Sequence, residues 1–285
     1  MGNEDKTSIN WYPGHMTKAR RMMEEEIKLI DVVIELLDAR APIATTNPDI
    51  QKIAGGKPRV VILNKSDLAD YKANVEWVKY YKEQGAQAMI LDSRSREGLK
   101  NVKALIEEAC REKRERDKKK GIIARPIRAM VAGIPNVGKS TFINAYSRKS
   151  SAATGNKPGV TKGKQWIKLG KDLELLDTPG ILWPKIEDRT MGEYLAFIGT
   201  INDNVIPITE IATDLIYFLS LKYEGALEDR YDIEVSDDVY ETLKAIGNKK
   251  GCVKKGGETD TEKASKVLLD DFRNGKLGRI TLQWP

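Results

Sequence analysis

Cysteine and histidine are almost missing from these 285 residues: Cys110, Cys252 and His15 are the full complement. Two thiols cannot make a disulfide framework, and neither has zinc ligands at a workable spacing. No apolar run approaches the ~18–20 residues of a membrane-spanning helix, which argues against an integral membrane protein. The opening MGNEDKTS has no apolar core of a signal peptide, and Lys6 stands where a myristoylation motif needs Ser or Thr. The expectation is a cytoplasmic protein without membrane attachment. With 40% apolar and 32% charged residues, the chain has the composition of a globular protein, not a disordered one. Its length suits one or two domains of roughly 100–200 residues.

Charge is unevenly spread. The net formal charge is +6, yet residues 201–285 hold 12 basic against 16 acidic side chains. A composition break near residue 200 follows. The expected division is 1–190, with an N-terminal arm over 1–30, and 191–285. Two basic stretches stand out, REKRERDKKK (111–120) and GNKKGCVKKGG (247–257). The first reads as the solvated end of a helix. The second reads as a flexible loop whose lysines suit phosphate contacts.

Up to residue 177, short runs rich in Val, Ile and Leu recur between turn residues: Val32–Leu37, Arg59–Leu63, Ala88–Leu91, Ile127–Ala132 and Leu173–Leu176. Continuous apolar runs mark strands buried on both faces of a parallel sheet. Helical patterns at Asn74–Glu83 and Gly98–Arg116 lie between them, so the fold class is α/β, an open sheet covered by helices. Ligands in such sheets bind beyond the carboxyl ends of the strands. DARAP, NKSD, DSRS, GIPNVGKST and DTPG follow these strands in turn.

GIPNVGKS (133–140) matches G-x-x-x-x-G-K-[ST] between a strand and a helix, a phosphate-binding loop. The main-chain amides of 133–141, including Asn136, Val137, Gly138 and Thr141, would turn toward the phosphates. Lys139 would bridge β- and γ-phosphate oxygens, and the Ser140 hydroxyl would ligate Mg²⁺. Asp177, at a strand end, would hold the metal's water shell, with the Gly180 amide at the γ-phosphate. Thr161, in KPGVT, is the candidate second hydroxyl ligand, which makes both segments candidate switches. In NKSD, the loop Asn64, Lys65, Ser66 and Asp67 is a guanine reader. The Asp67 carboxylate accepts from N1–H and the exocyclic amine, donors that adenine lacks in that arrangement. Asn64 would support the loop and the Lys65 stem would cover the ring. Asp92 and Ser93 begin a second loop, similar to the element that closes on guanine O6.

The guanine reader here precedes the phosphate loop, the reverse of the usual order, as circular permutation produces. With NWYPGHMTKA, LLDARAP, NKSD, GIPNVGKST, KPGVTKGKQW and DTPGILWP, the chain resembles the circularly permuted GTPases of the YlqF/YawG group, and within it the ribosome biogenesis GTPase A (RbgA/YlqF) family. That resemblance implies a Ras-like P-loop domain followed by a helical domain that binds ribosomal RNA on the large subunit or its precursor. No DNA partner is expected. Hydrolysis would drive a switch in late subunit assembly; a GTP-gated binding module with little turnover is the alternative.

Ile181 stands where related enzymes place a water-orienting Gln after the DTPG glycine. The resemblance assigns His15 the catalytic or water-positioning role, and likens Asn136 to the asparagine that binds K⁺ in potassium-activated GTPases. Apolar periodicity at Ile208–Tyr223, Val239–Ile246 and Ala264–Phe272 predicts a helical second domain. Its last helix is expected to open on a Thr259–Glu262 capping box.

Overall fold

A computed structural model describes residues 14–122, 125–150, 165–183, 186, 188–201 and 206–285, with side chains omitted at 14, 15 and 148–150. The chain forms two compact units, residues 1–186 with 283–285, and residues 187–282. The expected block 191–285 differs from this at its far end, because Gln283–Pro285 belong to the first unit.

The first unit is an α/β sandwich around a six-stranded sheet. Its strands are β1 (Val32–Asp38), β2 (Arg59–Asn64), β3 (Gln87–Leu91), β4 (Ile127–Ala132), β5 (Gln165–Leu169) and β6 (Leu173–Asp177), in the order β3-β2-β1-β4-β6-β5. All neighbours run parallel except β5 and β6. Every residue of β1 is buried, as a strand covered by helices on both faces requires. The chain moves outward from β1 to β3 on one side, then restarts at β4 on the other. A crevice therefore opens beyond the carboxyl ends of β1 and β4.

The helices of this unit are α1 (Gly14–Glu26), α2 (Pro42–Thr45), α3 (Pro48–Ala54), α4 (Tyr71–Glu83), α5 (Leu99–Ala109), α6 (Arg111–Lys119) and α7 (Lys139–Ser150). The helix expected over Gly98–Arg116 is broken at Cys110, whose backbone sits at φ −95° and ψ 0°. Beyond that break, α6 buries no side chain, in keeping with a solvated basic end. From Gly14 onward the expected arm is helix α1, seated by Ala19 and Met23. Both join Ile30, Val33, Met130, Leu176 and Ile181 in one apolar cluster.

The second unit consists of helices α8 (Arg189–Phe197), α9 (Ile208–Lys222), α10 (Ala226–Tyr231), α11 (Val239–Lys249) and α12 (Thr261–Arg273). Leu195, Phe197, Leu215, Leu219, Leu243, Leu268 and Phe272 are buried there. Arg273 donates to the carbonyls of Ala196 (2.8 Å) and Phe197 (3.0 Å), satisfying the open end of α8. The cap of α12 corrects the sequence expectation. Asp260, not Thr259, accepts from the Lys263 amide at 3.0 Å, while the Thr259 hydroxyl is bonded to Asn248 Oδ1 at 2.7 Å. The lysine loop before α12 is also more ordered than expected. A Val253–Thr259 bridge closes it, the Asp260 amide donates to the Cys252 carbonyl (2.7 Å), and Cys252 is buried beneath it.

Candidate active site

The carboxyl ends of β1, β2, β3, β4 and β6 deliver Asp38, Asn64, the 92–95 loop, the phosphate loop and Asp177 to one edge of the sheet. Between β4 and α7 the phosphate loop has left-handed backbone at Asn136 (φ 65°) and Gly138 (φ 94°). A Cβ on Gly133 would stand 2.6 Å from the Leu36 carbonyl oxygen, and one on Gly138 would overlap the Asn64 side-chain nitrogen. Only glycine lets the loop lie this close to its neighbours. Val137 is buried beneath the loop, whereas Asn136, Ser140 and Thr141 are exposed on it.

Lys139 is buried and folds back over its own loop. Its Nζ donates to the carbonyls of Gly133 and Ile134, both at 2.9 Å. Burial pushes its ammonium down to about 8, against the opposing field of Asp177. Asp177 is buried at the end of β6, opposite Val131 of β4. The next residue fixes the strand exit, because the Thr178 hydroxyl donates to the Val131 carbonyl at 2.7 Å. A Cβ on Gly180 would stand 2.8 Å from Lys139 Nζ and 2.9 Å from the Pro135 nitrogen, so the DTPG turn lies directly on the phosphate loop. Ile181 is turned into the core beside Ala19 and Met23 of α1, and its carbonyl accepts from Asn47 Nδ2 at 2.8 Å.

On the NKSD side, Asn64 braces two loops. Its Nδ2 donates to the Val137 carbonyl (2.8 Å), and its Oδ1 accepts from the Ser93 amide (3.2 Å) and hydroxyl (2.8 Å). Lys65 adopts left-handed backbone, φ 57°, and Ser66–Leu68 make one 3₁₀ turn, held by Asn74 Nδ2 on the Ser66 carbonyl (3.0 Å). This turn presents Asp67. Oδ2 of Asp67 accepts from Arg94 (2.8 Å), whereas its Oδ1 is buried with no hydrogen-bond partner among the described residues. A buried carboxylate oxygen left unpaired is costly, and it suits a ligand donor. Asp92 accepts from the Arg94 amide at 2.8 Å, so the amides of Ser93 and Arg94 are both engaged inside the protein.

Sequence reasoning assigned no role to Asp38 or Arg40. Asp38 is fully buried at the end of β1 and accepts from Arg40 Nε (2.9 Å), Arg40 Nη2 (2.8 Å) and Lys65 Nζ (2.8 Å). Burial alone would raise its carboxyl, but Arg40 and then Lys65 outweigh it and hold the group well below the usual carboxylate range. The signal in the sequence was an acid ending a buried strand with an arginine two residues on, since buried charges must pair. His15 is the second residue of α1, and its side chain lies outside the described residues, as does Thr161 entirely. Among the described residues, no cluster of His, Cys, Asp and Glu could cage a metal ion. Ser140 and Asp177 offer the oxygen donors that a hard cation takes when phosphate supplies the rest.

Fold and motifs together define a P-loop GTPase domain in circularly permuted order, followed by a helical unit. The model of the 50S ribosome-binding GTPase family matches residues 128–247, beginning at the phosphate-loop strand. The ribosome biogenesis GTPase A of Bacillus cereus is 46% identical over 278 residues, covering 97% of this chain and 94% of that protein. Its counterpart in Thermotoga maritima is 32% identical, covering 97% and 95%. The crystal structure of GNP-bound YlqF from T. maritima superposes with a TM-score of 0.65 at 29% identity, covering 94% of this chain and 98% of that one. The chain belongs to the ribosome biogenesis GTPase A family, and it is a GTPase.

Proposed function

We propose that this GTPase acts as a switch in late assembly of the large ribosomal subunit, binding ribosomal RNA or the subunit precursor in the cytoplasm. Its family membership supports this role. Among the described residues no helix is long and apolar enough to cross a membrane. The observation that carries the nucleotide assignment is the unpartnered Asp67 Oδ1, set two residues after a lysine fixed on Asp38, in a loop braced to the phosphate loop through Asn64.

In this reading, the Asp67 carboxylate accepts from guanine, and Lys65 and Ser66 shape the base pocket. Asn136, Val137, Gly138, Lys139, Ser140 and Thr141 enclose the phosphates, and the Gly180 amide faces the γ-phosphate. Ser140, Asp177 and Thr161 would hold Mg²⁺, which neutralises β- and γ-phosphate charge. Asn136 would hold a K⁺ that lends further positive charge. Lys139 already stands in a water-poor site, where its charge acts strongly on a phosphate.

With Ile181 committed to the core, the water-orienting group must come from elsewhere. We assign that role to His15, whose place in α1 is one turn ahead of Ala19, a neighbour of Ile181 in the apolar cluster. Partner docking would complete this arrangement, so unstimulated turnover is slow. The segment following Gly180 leads into the second unit, and nucleotide state would pass along it. Lys254 and Lys255, on the closed loop before α12, suit RNA phosphates.

Two measurements test the assignment. Titration must show guanosine nucleotides binding far more tightly than adenosine ones. Co-sedimentation with large ribosomal subunits must be stronger with a GTP analogue than with GDP. Equal binding of both bases would refute the site, and nucleotide-independent sedimentation would refute the switch.

A further inference from the structure

Arg40 alone would satisfy Asp38. Its guanidinium makes a two-point contact with the carboxylate, and its backbone amide adds a third bond to Oδ1 at 3.1 Å. Both partners are buried, with side-chain exposures of 2% for Arg40 and 0% for Asp38. A second cation, Lys65, nevertheless reaches the same carboxylate from the neighbouring strand end. One negative charge thus faces two positive ones, an arrangement that packing does not require. The backbone is arranged for it. Asp38 stands opposite Asn64 in the β1–β2 register, the Ala39 amide donates to the Asn64 carbonyl at 2.8 Å, and Lys65 takes its left-handed turn immediately afterwards. The Lys65 stem is thereby strung between a buried anchor and the turn that presents Asp67, with 22% of the side chain still exposed.

We propose that Asp38 is a positioning residue for guanine specificity. It anchors the Lys65 ammonium so that the lysine stem forms one wall of the base pocket, and Arg40 keeps Asp38 ionised for that purpose. Asp38 itself touches no nucleotide. This inference rests on the reading that the Asn64–Asp67 loop holds the base. Its effect falls on the base, so it is equal for GDP and for a GTP analogue.

The test is a double-mutant cycle in the full-length protein, read by titration of fluorescent GDP, with thermal melting as the check on folding. Lys65→Met removes the ammonium but keeps an unbranched stem, and GDP affinity should fall roughly tenfold, the scale of one charge-assisted bond. Asp38→Asn should cause a similar loss, raise the KM for GTP by the same factor, and add less than about twofold in the Lys65→Met background. Lys65→Arg, which can still reach Asp38, should recover most of the affinity. Additive losses in the double variant would overturn the proposal, as would full affinity in a folded Asp38→Asn. Should Asp38→Asn fail to fold, the Lys65 pair decides: Met and Arg variants binding alike overturn it. Asp67→Ala separates the two levels. If it leaves GDP affinity intact, the guanine-site reading has failed. If it weakens binding while the Asp38 cycle shows no coupling, only the present inference has.

Discussion

Lys139 holds two neutral carbonyls in a buried site, and that environment makes nucleotide binding a proton-linked event. With its ammonium pushed down to about 8 by burial, this lysine is largely charged at pH 7 and about three-quarters neutral at pH 8.5 in the free protein. Arrival of a polyanionic phosphate favours the charged form and returns the group toward its ordinary range. The folded free protein binds fewer protons at this site than the complex, so binding takes up a proton, and affinity declines as pH rises through 8. About 0.1 proton should be taken up per GDP at pH 7 and about 0.75 at pH 8.5, with Kd weakening roughly tenfold between pH 7 and pH 9. Calorimetric titration at each pH, in two buffers of different ionisation enthalpy, measures the uptake directly. The phosphates of Mg²⁺-bound GDP are already fully ionised over this range and do not mask it. A constant Kd from pH 7 to 9, with enthalpies independent of buffer, would refute the argument that Lys139 is desolvated before the phosphate arrives.

The other predictions rest on separate parts of the molecule. Gly138→Ala should abolish nucleotide binding, because its Cβ meets the Asn64 side chain at a φ of +94°; binding within twofold of wild type would show that the loop can move aside. Asp67→Asn should shift preference from guanosine to xanthosine nucleotides by exchanging an acceptor for a donor, as competition titrations would report. His15→Ala should leave GDP affinity intact and remove most of the turnover stimulated by ribosomal subunits, measured as single-turnover phosphate release. Phe272→Ala in the second unit should cost about 3–5 kcal/mol in a denaturant titration, since the ring is buried against Phe197 at 6.4 Å between centroids.

The central strands were legible because a strand buried on both faces must be continuously apolar. The sequence runs stopped one residue short at Asp38, Asn64 and Asp177, where polar residues prolong the strand through register with their neighbours. Strand β5 escaped notice for the opposite reason. Gln165–Leu169 is an edge strand with mostly half-buried side chains, and Gln and Lys interrupt its apolar pattern. Helix α1 was hidden by its charges: among its described side chains, Ala19 and Met23 are the buried apolar ones that join the core cluster, along a segment rich in Lys, Arg and Glu. The phosphate loop could be read because its glycines and lysine follow from anion chemistry alone. Asp38 and Arg40 could not be assigned, since their importance depends on the side chain that arrives from another strand.

Gln283 shows a dependence of a different kind. Its carbonyl accepts from Trp77 Nε1 at 2.8 Å, its side-chain oxygen accepts from the Ala44 amide at 2.9 Å, and its own amide donates to the Arg40 carbonyl at 3.3 Å. Helix α2 has no cap from its own N-terminal side chain, so Gln283 supplies the missing acceptor from 239 residues downstream. During translation the Arg40–Ala44 segment must therefore wait for residues 187–282 to be made before it meets Gln283, on the order of 5–20 s at typical elongation rates. A nascent chain halted within that stretch would carry NKSD, GIPNVGKST and DTPG and still lack the Gln283 contacts on Arg40, Ala44 and Trp77.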